Sequence, residues 1–276
     1  MGRVAGRVAF ITGAARGQGR AHAVRLAQEG ADIVAVDSCS DVPSLEYPMA
    51  TVDDLHETEK LVRDLGRRVL ARQVDVRDQA GLDQVAADAV ETLGGIDIVS
   101  ANAGVCGCRP TFDLSDTEWQ DMLDINLTGV WHTVKAAVPH MISAGRGGSV
   151  VLTSSVVTFV GAANVAHYNA SKSGVVGLMK TLSAELGKHG IRVNAVHPGN
   201  VATDMLFSDS TLRVFCPDLA NPTPDDLRDR ARTGDVLGQG WVEPVDISNA
   251  VLYLASEEAR FVTGVSLPVD CGRRIG

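Results

Sequence analysis

The chain has 276 residues, and its 34 acidic and 25 basic side chains give a formal net charge of −9. This charge argues against a nucleic-acid-binding protein, which usually has an excess of basic residues. The sequence also has no cluster of basic residues that would bind a membrane of anionic lipid. The hydrophobic fraction of 45% suffices for a sizeable core, while no apolar run approaches the roughly 18 residues of a membrane span. Five irregularly spaced cysteines argue against a disulfide framework, and Cys106-Gly107-Cys108 lacks the second Cys/His pair of a zinc site, so no metal is expected.

The N-terminal residues predict a strand, a glycine-rich turn and a helix. Residues 8–11 form a short apolar run typical of a strand buried on both faces, and no secretory segment precedes it, so we expect a cytoplasmic protein. Gly13, Gly17 and Gly19 follow, and a helical pattern begins by residue 23. Such a turn points free backbone N–H groups at a phosphate. Because the spacing Gly-x-x-x-Gly-x-Gly differs from the standard Gly-x-Gly-x-x-Gly, a glycine turn without a ligand is the alternative.

The second predicted strand, 33–36, ends at Asp37. An acidic side chain about 20 residues beyond the glycines can accept hydrogen bonds from ribose hydroxyls, and it repels a 2′-phosphate. Arg16 argues the other way, because a guanidinium suits a phosphate. Since Ser38 adds no positive charge, we predict that the site binds NAD rather than NADP.

The middle of the chain alternates between helical and strand patterns. Polar residues 39–50 predict an inserted loop; helices are predicted at 51–65 and 79–93, and strands at 69–74 and 96–100. Asn102, Ala103 and Gly104 follow the fourth strand, where small residues allow a flat ligand to lie against the backbone.

A capping box formed by Ser115 and Glu118 predicts the start of a long helix that ends near residue 143. Asn126 lies inside this helix among apolar neighbours. Such an amide usually satisfies a local backbone carbonyl, and a helix irregularity or a role in a site is the alternative. The fifth strand, 149–153, ends beside Ser155.

The next helix contains Tyr168 and Lys172 and extends to about residue 189. Their spacing of four places both side chains on one face. A lysine cation beside a phenol favours the phenolate, which can exchange protons near neutral pH. Taken alone, however, Tyr-x-x-x-Lys is common by chance, and most copies are a half-buried ring beside a solvated ammonium.

The last third predicts a strand at 192–197 closed by Pro198-Gly199, a lid at 200–240, a helix at 244–255 and a strand at 265–270. Seven strands alternating with six helices are typical of a single α/β domain, in which a doubly wound parallel sheet has helices on both faces. In such sheets ligands bind at the carboxyl ends of the strands.

These motifs, in this order, resemble the classical short-chain dehydrogenases/reductases over nearly the whole chain, and Ser155 precedes Tyr168 by the thirteen residues usual in that family. The resemblance implies a Rossmann domain and hydride transfer between NAD and an alcohol. Residues 13–22, Asp37 and residues 47–50 of the inserted loop are also similar to the mycofactocin-coupled, carveol-dehydrogenase-like subfamily. That similarity implies tightly held NAD, a terpenol-like or other apolar cyclic secondary alcohol as substrate, and an external redox partner of the mycofactocin type.

The resemblance also implies roles for individual residues. Tyr168 is expected to act as acid/base, Lys172 to lower its pKa and bind the nicotinamide ribose, and Ser155 to donate a hydrogen bond to the reacting oxygen. Asn126 is expected to hold a water of a proton relay. The residues expected to bind the cofactor are Gly13, Arg16, Gly17, Gln18, Gly19, Asp37, Ser38, Asp75, Val76, Asn102, Ala103, Gly104, Tyr168, Lys172, Pro198, Gly199, Val201 and Thr203.

An apolar substrate pocket is expected from Val156, Val157, Phe159 and residues 205–216, and the family resemblance implies a homotetramer. Two alternatives stay open: an NADP-linked 3-ketoacyl or steroid ketoreductase, and a non-catalytic nucleotide-sensing protein on the same scaffold. The tail 271–276 matches none of the motifs.

Overall fold

The computed structural model describes residues 2–276 and contains all seven predicted strands and all six predicted helices. The strands are β1 (Val8–Thr12), β2 (Asp32–Asp37), β3 (Val69–Gln73), β4 (Ile98–Ala101), β5 (Gly148–Thr153), β6 (Ile191–Pro198) and β7 (Ser266–Val269). The α-helices are α1 (Gly17–Gln28), α2 (Val52–Asp64), α3 (Gln79–Leu93), α4 (Asp116–Leu123), α5 (Gly129–Ala144), α6 (Val157–Val160), α7 (Ala166–Leu186), α8 (Asp209–Phe215), α9 (Pro224–Ala231) and α10 (Pro244–Ala255).

The strands form one parallel sheet in the order β3-β2-β1-β4-β5-β6-β7. Along β1, Val8 and Phe10 pack into the hydrophobic cluster that α3, α5 and α7 cover, whereas Ala9 and Ile11 pack into the cluster that α1 and α2 cover. Successive strand side chains point to opposite faces, so a strand covered on both faces reads as a continuous apolar run. The predicted doubly wound sheet with helices on both faces is therefore confirmed.

The long helix predicted up to residue 143 is present, but it is not regular. Ser115 accepts from the N–H of Glu118 at 3.2 Å and starts the helix as predicted. Residues Asp124–Thr128 then form a π-helical turn that joins α4 to α5. Asn126 lies in this turn and is fully buried. The helix irregularity, which the sequence left as the less favoured interpretation, is thus what the structure contains, and such turns are frequent at functional sites.

The segment 200–240, predicted to be a lid of weak periodicity, contains the short helices α8 and α9. Thr223 accepts from the N–H of Asp226 at 3.3 Å, which completes a capping box at the start of α9. Leu206, Leu212 and Leu227 form a small hydrophobic cluster beneath these helices. Helices of seven and eight residues are too short to show a clear hydrophobic period, so the sequence pattern missed them.

Within residues 2–276, no helix combines the length and the apolar character needed to pass through a membrane.

Candidate active site

Two adjoining cavities lie at the carboxyl ends of the strands, on either side of the point between β1 and β4 where the strand order reverses. The glycine-loop cavity, about 160 Å³, lies beside Gly13 and Asp75, which follow β1 and β3, and beside Asp37, the last residue of β2. The tyrosine cavity, about 590 Å³, lies beside Ser155 and Pro198 at the ends of β5 and β6. The residues that line both cavities are Gln18, Asn102, Gly104, Thr203 and Met205.

The structure brings nearly all the predicted site residues to these two cavities. Those at the glycine-loop cavity are Gly13, Arg16, Gly17, Gln18, Gly19, Asp37, Ser38, Asp75, Val76, Asn102, Ala103, Gly104 and Thr203. Those at the tyrosine cavity include Ser155, Tyr168, Lys172, Pro198, Gly199 and Val201. Asn126 lines neither cavity.

The glycine-rich turn leaves the first turn of α1 open to a ligand. Gly13 has φ +67°, and a Cβ at this position would lie 2.8 Å from the Cα of Ala103. A Cβ on Gly19 would overlap the carbonyl oxygen of Gly13, so the start of α1 packs directly on the turn. Among residues 2–276, no side chain caps the first N–H groups of α1, and the first turn of this helix contains no acidic residue. These free donors and the helix dipole fit a diphosphate.

Asp37 is fixed at the tip of β2 by two backbone donors. Its Oδ2 accepts from the N–H of Ala15 at 3.0 Å, and its Oδ1 accepts from the N–H of Cys39 at 3.1 Å. Each carboxylate oxygen retains a lone pair for a ribose hydroxyl. The negative charge at this point opposes a 2′-phosphate, which agrees with the preference for NAD predicted from the sequence.

Arg16 does not act as a free cation beside Asp37. Its Nη1 lies 3.0 Å from Oδ2 of Asp204 in the lid, and its Nη2 donates to the carbonyl of Pro48 in the inserted loop at 2.6 Å. The guanidinium therefore links the lid to the inserted loop at the glycine-loop cavity. Because Arg16 is already paired with Asp204, its positive charge is not free to bind a 2′-phosphate, and Arg16 therefore does not favour NADP over NAD.

The inserted loop folds over the glycine-loop cavity, which the sequence did not predict. Val42, Tyr47 and Met49 line the cavity. The hydroxyl of Tyr47 accepts from the N–H of Cys106 at 3.2 Å, and burial raises the pKa of this phenol above its usual range. The sequence analysis used residues 47–50 only for their similarity to a subfamily. The aromatic side chain of Tyr47 in an otherwise polar loop could have indicated that this loop packs against the site.

Ser154 and Lys172 join β5 to α7 beneath the tyrosine cavity. Lys172 is buried, and its Nζ donates to the carbonyl of Thr153 at 2.9 Å, while the hydroxyl of Ser154 donates to the carbonyl of Lys172 at 3.0 Å. The Nζ atom lies 5.8 Å from the centre of the Tyr168 ring. Tyrosine and lysine therefore share one face of α7, as their spacing predicts.

Burial dominates the protonation of Tyr168 and Lys172. Burial raises the pKa of Tyr168 above its usual range, the nearby Cys106 raises it further, and a hydrogen bond with Ser155 acts in the opposite direction. Burial lowers the pKa of Lys172 to about 8. Lys172 is not among the groups that lower the pKa of Tyr168 here, so burial determines the direction of the shift, and the role of Lys172 in making Tyr168 acidic stays a prediction.

Asn126 holds the chain that follows β4. Its Oδ1 accepts from the N–H of Val105 and its Nδ2 donates to the carbonyl of Val105, both at 2.8 Å. The favoured interpretation, a hydrogen bond to a local carbonyl, is wrong, because Val105 lies outside this helix, 21 residues earlier in the chain, in the loop after β4. A Cβ on Gly104 would lie 3.1 Å from both Asn126 Oδ1 and Lys172 Nζ, so only a glycine leaves these two groups undisturbed.

His197, which the sequence did not single out, positions Ser155. The Nδ1 of His197 lies 3.0 Å from the carbonyl oxygen of Ser155, which can only accept, so Nδ1 carries the proton. Burial lowers the pKa of this imidazole and keeps it neutral at pH 7. The Phe159 ring stacks on His197 at 4.7 Å and does not line the tyrosine cavity, so its predicted place in the substrate pocket is wrong.

The walls of the tyrosine cavity are mostly apolar. The predicted Val156 and Val157 are present, and so are the following members of the 205–216 segment: Met205, Leu206, Thr211, Val214 and Phe215. The polar and thiol side chains there that the sequence did not predict include Cys106, Cys108, Arg230 and Arg273.

Comparisons with known proteins agree with this geometry. Residues 7–211 match the short chain dehydrogenase family. The chain is 52% identical to (−)-trans-carveol dehydrogenase of Rhodococcus erythropolis over 99% of each chain.

Two solved structures are also similar to this chain. Carveol dehydrogenase from Mycobacterium avium in complex with NAD is 57% identical, with TM-score 0.98 over 100% of each chain. A short chain dehydrogenase from Mycobacterium paratuberculosis bound to NAD is 45% identical, with TM-score 0.91 over 99% of each chain. The chain therefore belongs to the short chain dehydrogenase family.

Proposed function

We propose that this chain is an NAD-dependent oxidoreductase that interconverts a secondary alcohol and its ketone by hydride transfer, with a terpenol-like or other apolar cyclic alcohol as substrate. The observation that carries this proposal is that Ser155, Tyr168 and Lys172 line an apolar cavity that adjoins the glycine-loop cavity. The similarity to carveol dehydrogenases of Rhodococcus erythropolis and Mycobacterium avium, the latter in complex with NAD, supports it.

The residues present fit NAD. The uncapped start of α1 suits its diphosphate, and Asp37 suits the adenosine ribose. Lys172 on one side and Val201 and Thr203 on the other would flank its nicotinamide half. When bound, NAD accepts or returns the hydride, while the protein supplies position and electrostatics.

Tyr168 is the proposed acid/base, and Ser155 the proposed donor to the reacting oxygen. A phenol with a raised pKa holds its proton at neutral pH, which suits proton donation during ketone reduction. In alcohol oxidation Tyr168 must first lose that proton. Lys172, with a pKa of about 8, exchanges protons near neutral pH and lies close enough to take part in that loss.

Asn126 is proposed to hold a water that links Lys172 to solvent as a proton relay. Both ends of its side-chain amide are engaged by Val105, but the amide oxygen retains a second lone pair that can accept from a water. Asn126 Oδ1 and Lys172 Nζ both approach Gly104, and Asn126 lies in a π-helical turn, which supports this role. Asn126 is also proposed as a positioning residue for the chain after β4.

Neither alternative has a supporting feature. An NADP-linked 3-ketoacyl or steroid ketoreductase would need a free cation near the ribose, but Asp37 occupies that position and Arg16 pairs with Asp204. A nucleotide-sensing protein has no need of Ser155 and Tyr168 together in one cavity.

The same proposal includes the finer expectations of the subfamily. We propose that residues 1–276 form one nucleotide-binding domain and that the protein is a cytoplasmic homotetramer. We also propose that a mycofactocin-type partner reoxidises the bound NADH. The link that Arg16 makes between the inserted loop and the lid supports slow nucleotide exchange. The exposed aromatic side chains of Phe112, before α4, and Trp131, in α5, support contact of these residues with another subunit.

The test is Tyr168→Phe, assayed with (−)-trans-carveol and NAD-loaded enzyme by the rate at which the absorbance of the reduced nicotinamide appears in a single turnover. Loss of the proton-transfer group should lower turnover by about 10²- to 10⁴-fold, while calorimetry should show retained NAD binding. Tyr253→Phe, on α10 and outside both cavities, is the matched control and should leave turnover unchanged. Unchanged turnover in Tyr168→Phe would remove the tyrosine from the proposed role.

A further inference from the structure

Arg273 lies in the C-terminal tail that the sequence motifs left without a function, yet it lines the tyrosine cavity. Its Nη1 atom is buried and has no hydrogen-bond partner within residues 2–276. The guanidinium packs over the Phe215 ring of α8, 5.7 Å from the ring centre. A buried cationic donor without a partner is costly, so its presence beside a cavity indicates that something in the cavity accepts from it.

The backbone around Arg273 is fixed. The Asp270 carboxylate accepts from the N–H groups of Gly272 and Arg274 at 3.0 and 3.1 Å, and the Asp270 carbonyl accepts from the N–H of Arg273 at 2.9 Å. The N–H of Leu237 donates to the carbonyl of Cys271 at 3.1 Å, which ties the tail to the end of the lid. The side chain therefore reaches the cavity from a backbone anchored at both β7 and the lid.

The second guanidinium at this wall is already neutralised. Arg230 lies 2.6 Å from a carboxylate oxygen of Asp218. No carboxylate among residues 2–276 forms an ion pair with Arg273. The two arginines thus differ in the property that matters for a ligand: Arg230 is paired within the protein, and Arg273 is not.

We propose that Arg273 determines specificity by binding a carboxylate of the alcohol substrate, so that the preferred substrate is an apolar secondary alcohol that also bears a carboxylate. A planar guanidinium forms paired hydrogen bonds with a carboxylate, and the aromatic face beneath it holds its plane. This inference rests on the proposed function, since it concerns the substrate of the same cavity. It narrows the substrate from plain cyclic alcohols to hydroxy acids with a cyclic apolar body.

The experiment compares 4-hydroxycyclohexanecarboxylate with its methyl ester, using NAD-loaded enzyme. Arg273→Gln should lower kcat/KM for the carboxylate by roughly 10- to 150-fold, mostly through KM, since this is the range for hydrogen bonds to charged groups. The ester should change by less than about 3-fold, because it has no charge to pair. Arg260→Gln is the matched control: its guanidinium also lies over a phenylalanine ring, 4.8 Å from the centre of Phe261, but it does not line the tyrosine cavity.

A binding measurement separates this inference from the proposed function. The affinity of the carboxylate for NAD-loaded Tyr168→Phe enzyme is measured by calorimetry with and without Arg273→Gln. If the carboxylate binds more weakly without Arg273 while the wild type oxidises neither alcohol, the proposed function fails and the Arg273 site stands. If Arg273→Gln changes neither the affinity nor kcat/KM for the carboxylate, the inference is overturned, whatever the activity toward the ester.

Discussion

Replacing Lys172 by methionine should stabilise the fold while it removes activity. Burial lowers the pKa of Lys172 from 10.5 to about 8. Each pKa unit corresponds to about 1.4 kcal/mol, so keeping the ammonium in place costs about 3 kcal/mol of folding free energy at pH 7. Losing the hydrogen bond to the Thr153 carbonyl offsets about 1 kcal/mol of the gain. Methionine fills a similar volume, so we expect Lys172→Met to be more stable by about 2 kcal/mol.

The assay is urea unfolding followed by circular dichroism in nucleotide-free protein, together with a melting scan. A gain of about 2 kcal/mol should raise Tm by roughly 4–8 °C in a chain of this size. The control is Lys180→Met on the same helix, which removes an exposed charge and should change the stability by less than about 0.5 kcal/mol.

The pH dependence gives a second signature. Between pH 8 and 10.5 the unfolded state retains a proton on Lys172 that the folded state has lost, so wild-type stability rises with pH in this window. The advantage of Lys172→Met should therefore shrink from pH 8 upward and disappear above 10.5. A variant that is less stable than the wild type at pH 7, or an advantage that does not change with pH, would refute the reasoning.

Three further predictions concern the cofactor and the proton. Asp37→Ala removes the acceptor for the ribose hydroxyls, so the ratio of kcat/KM with NADP to that with NAD should rise by about 10- to 100-fold; no change in the ratio would contradict the role of Asp37. Asp204→Asn frees Arg16 from its 3.0 Å partner and should raise the same ratio by less than about 5-fold, because Asp204 is exposed; a larger shift than that of Asp37→Ala would show that the ion pair decides the preference. Alcohol oxidation should speed up as pH rises through about 8, where Lys172 gives up its proton, and a flat profile from pH 7 to 9 would exclude Lys172 from the proton path.

Local patterns predicted the features that depend on nearby residues. The apolar runs located the strands, and the spacing of Tyr168 and Lys172 placed both on one face of α7. The position of Asp37 after its apolar run placed it at the tip of β2, beside the glycine turn. A parallel sheet brings the carboxyl ends of its strands to one edge, so the site residues follow once the strands are known.

Features that depend on long-range packing were not predictable in this way. Arg16 has a partner far along the chain, in the lid, so its charge was counted as free. The pKa of Tyr168 depends on how much water the surrounding elements exclude, which spacing on a helix does not reveal. The start of the lid helix α9 could have been predicted, because Thr223 and Asp226 form a capping box of the kind recognised at Ser115 and Glu118.

The π turn at Asp124–Thr128 keeps the two halves of the long helix in phase with each other. An α-helix advances by about 100° per residue, and a π turn contains one residue more than an α-helical turn. The π turn absorbs this extra residue: buried Met122 and Met141 are 19 positions apart, and 18 steps of about 100° make five full turns, so both methionines lie on the same face of the helix. Deleting one residue within the turn should therefore leave both methionines buried and disturb mainly local contacts, such as the hydrogen bonds between Asn126 and Val105. If the turn instead became α-helical with all its residues in place, the two halves would rotate by about 100° relative to each other, and one of the methionines would face water.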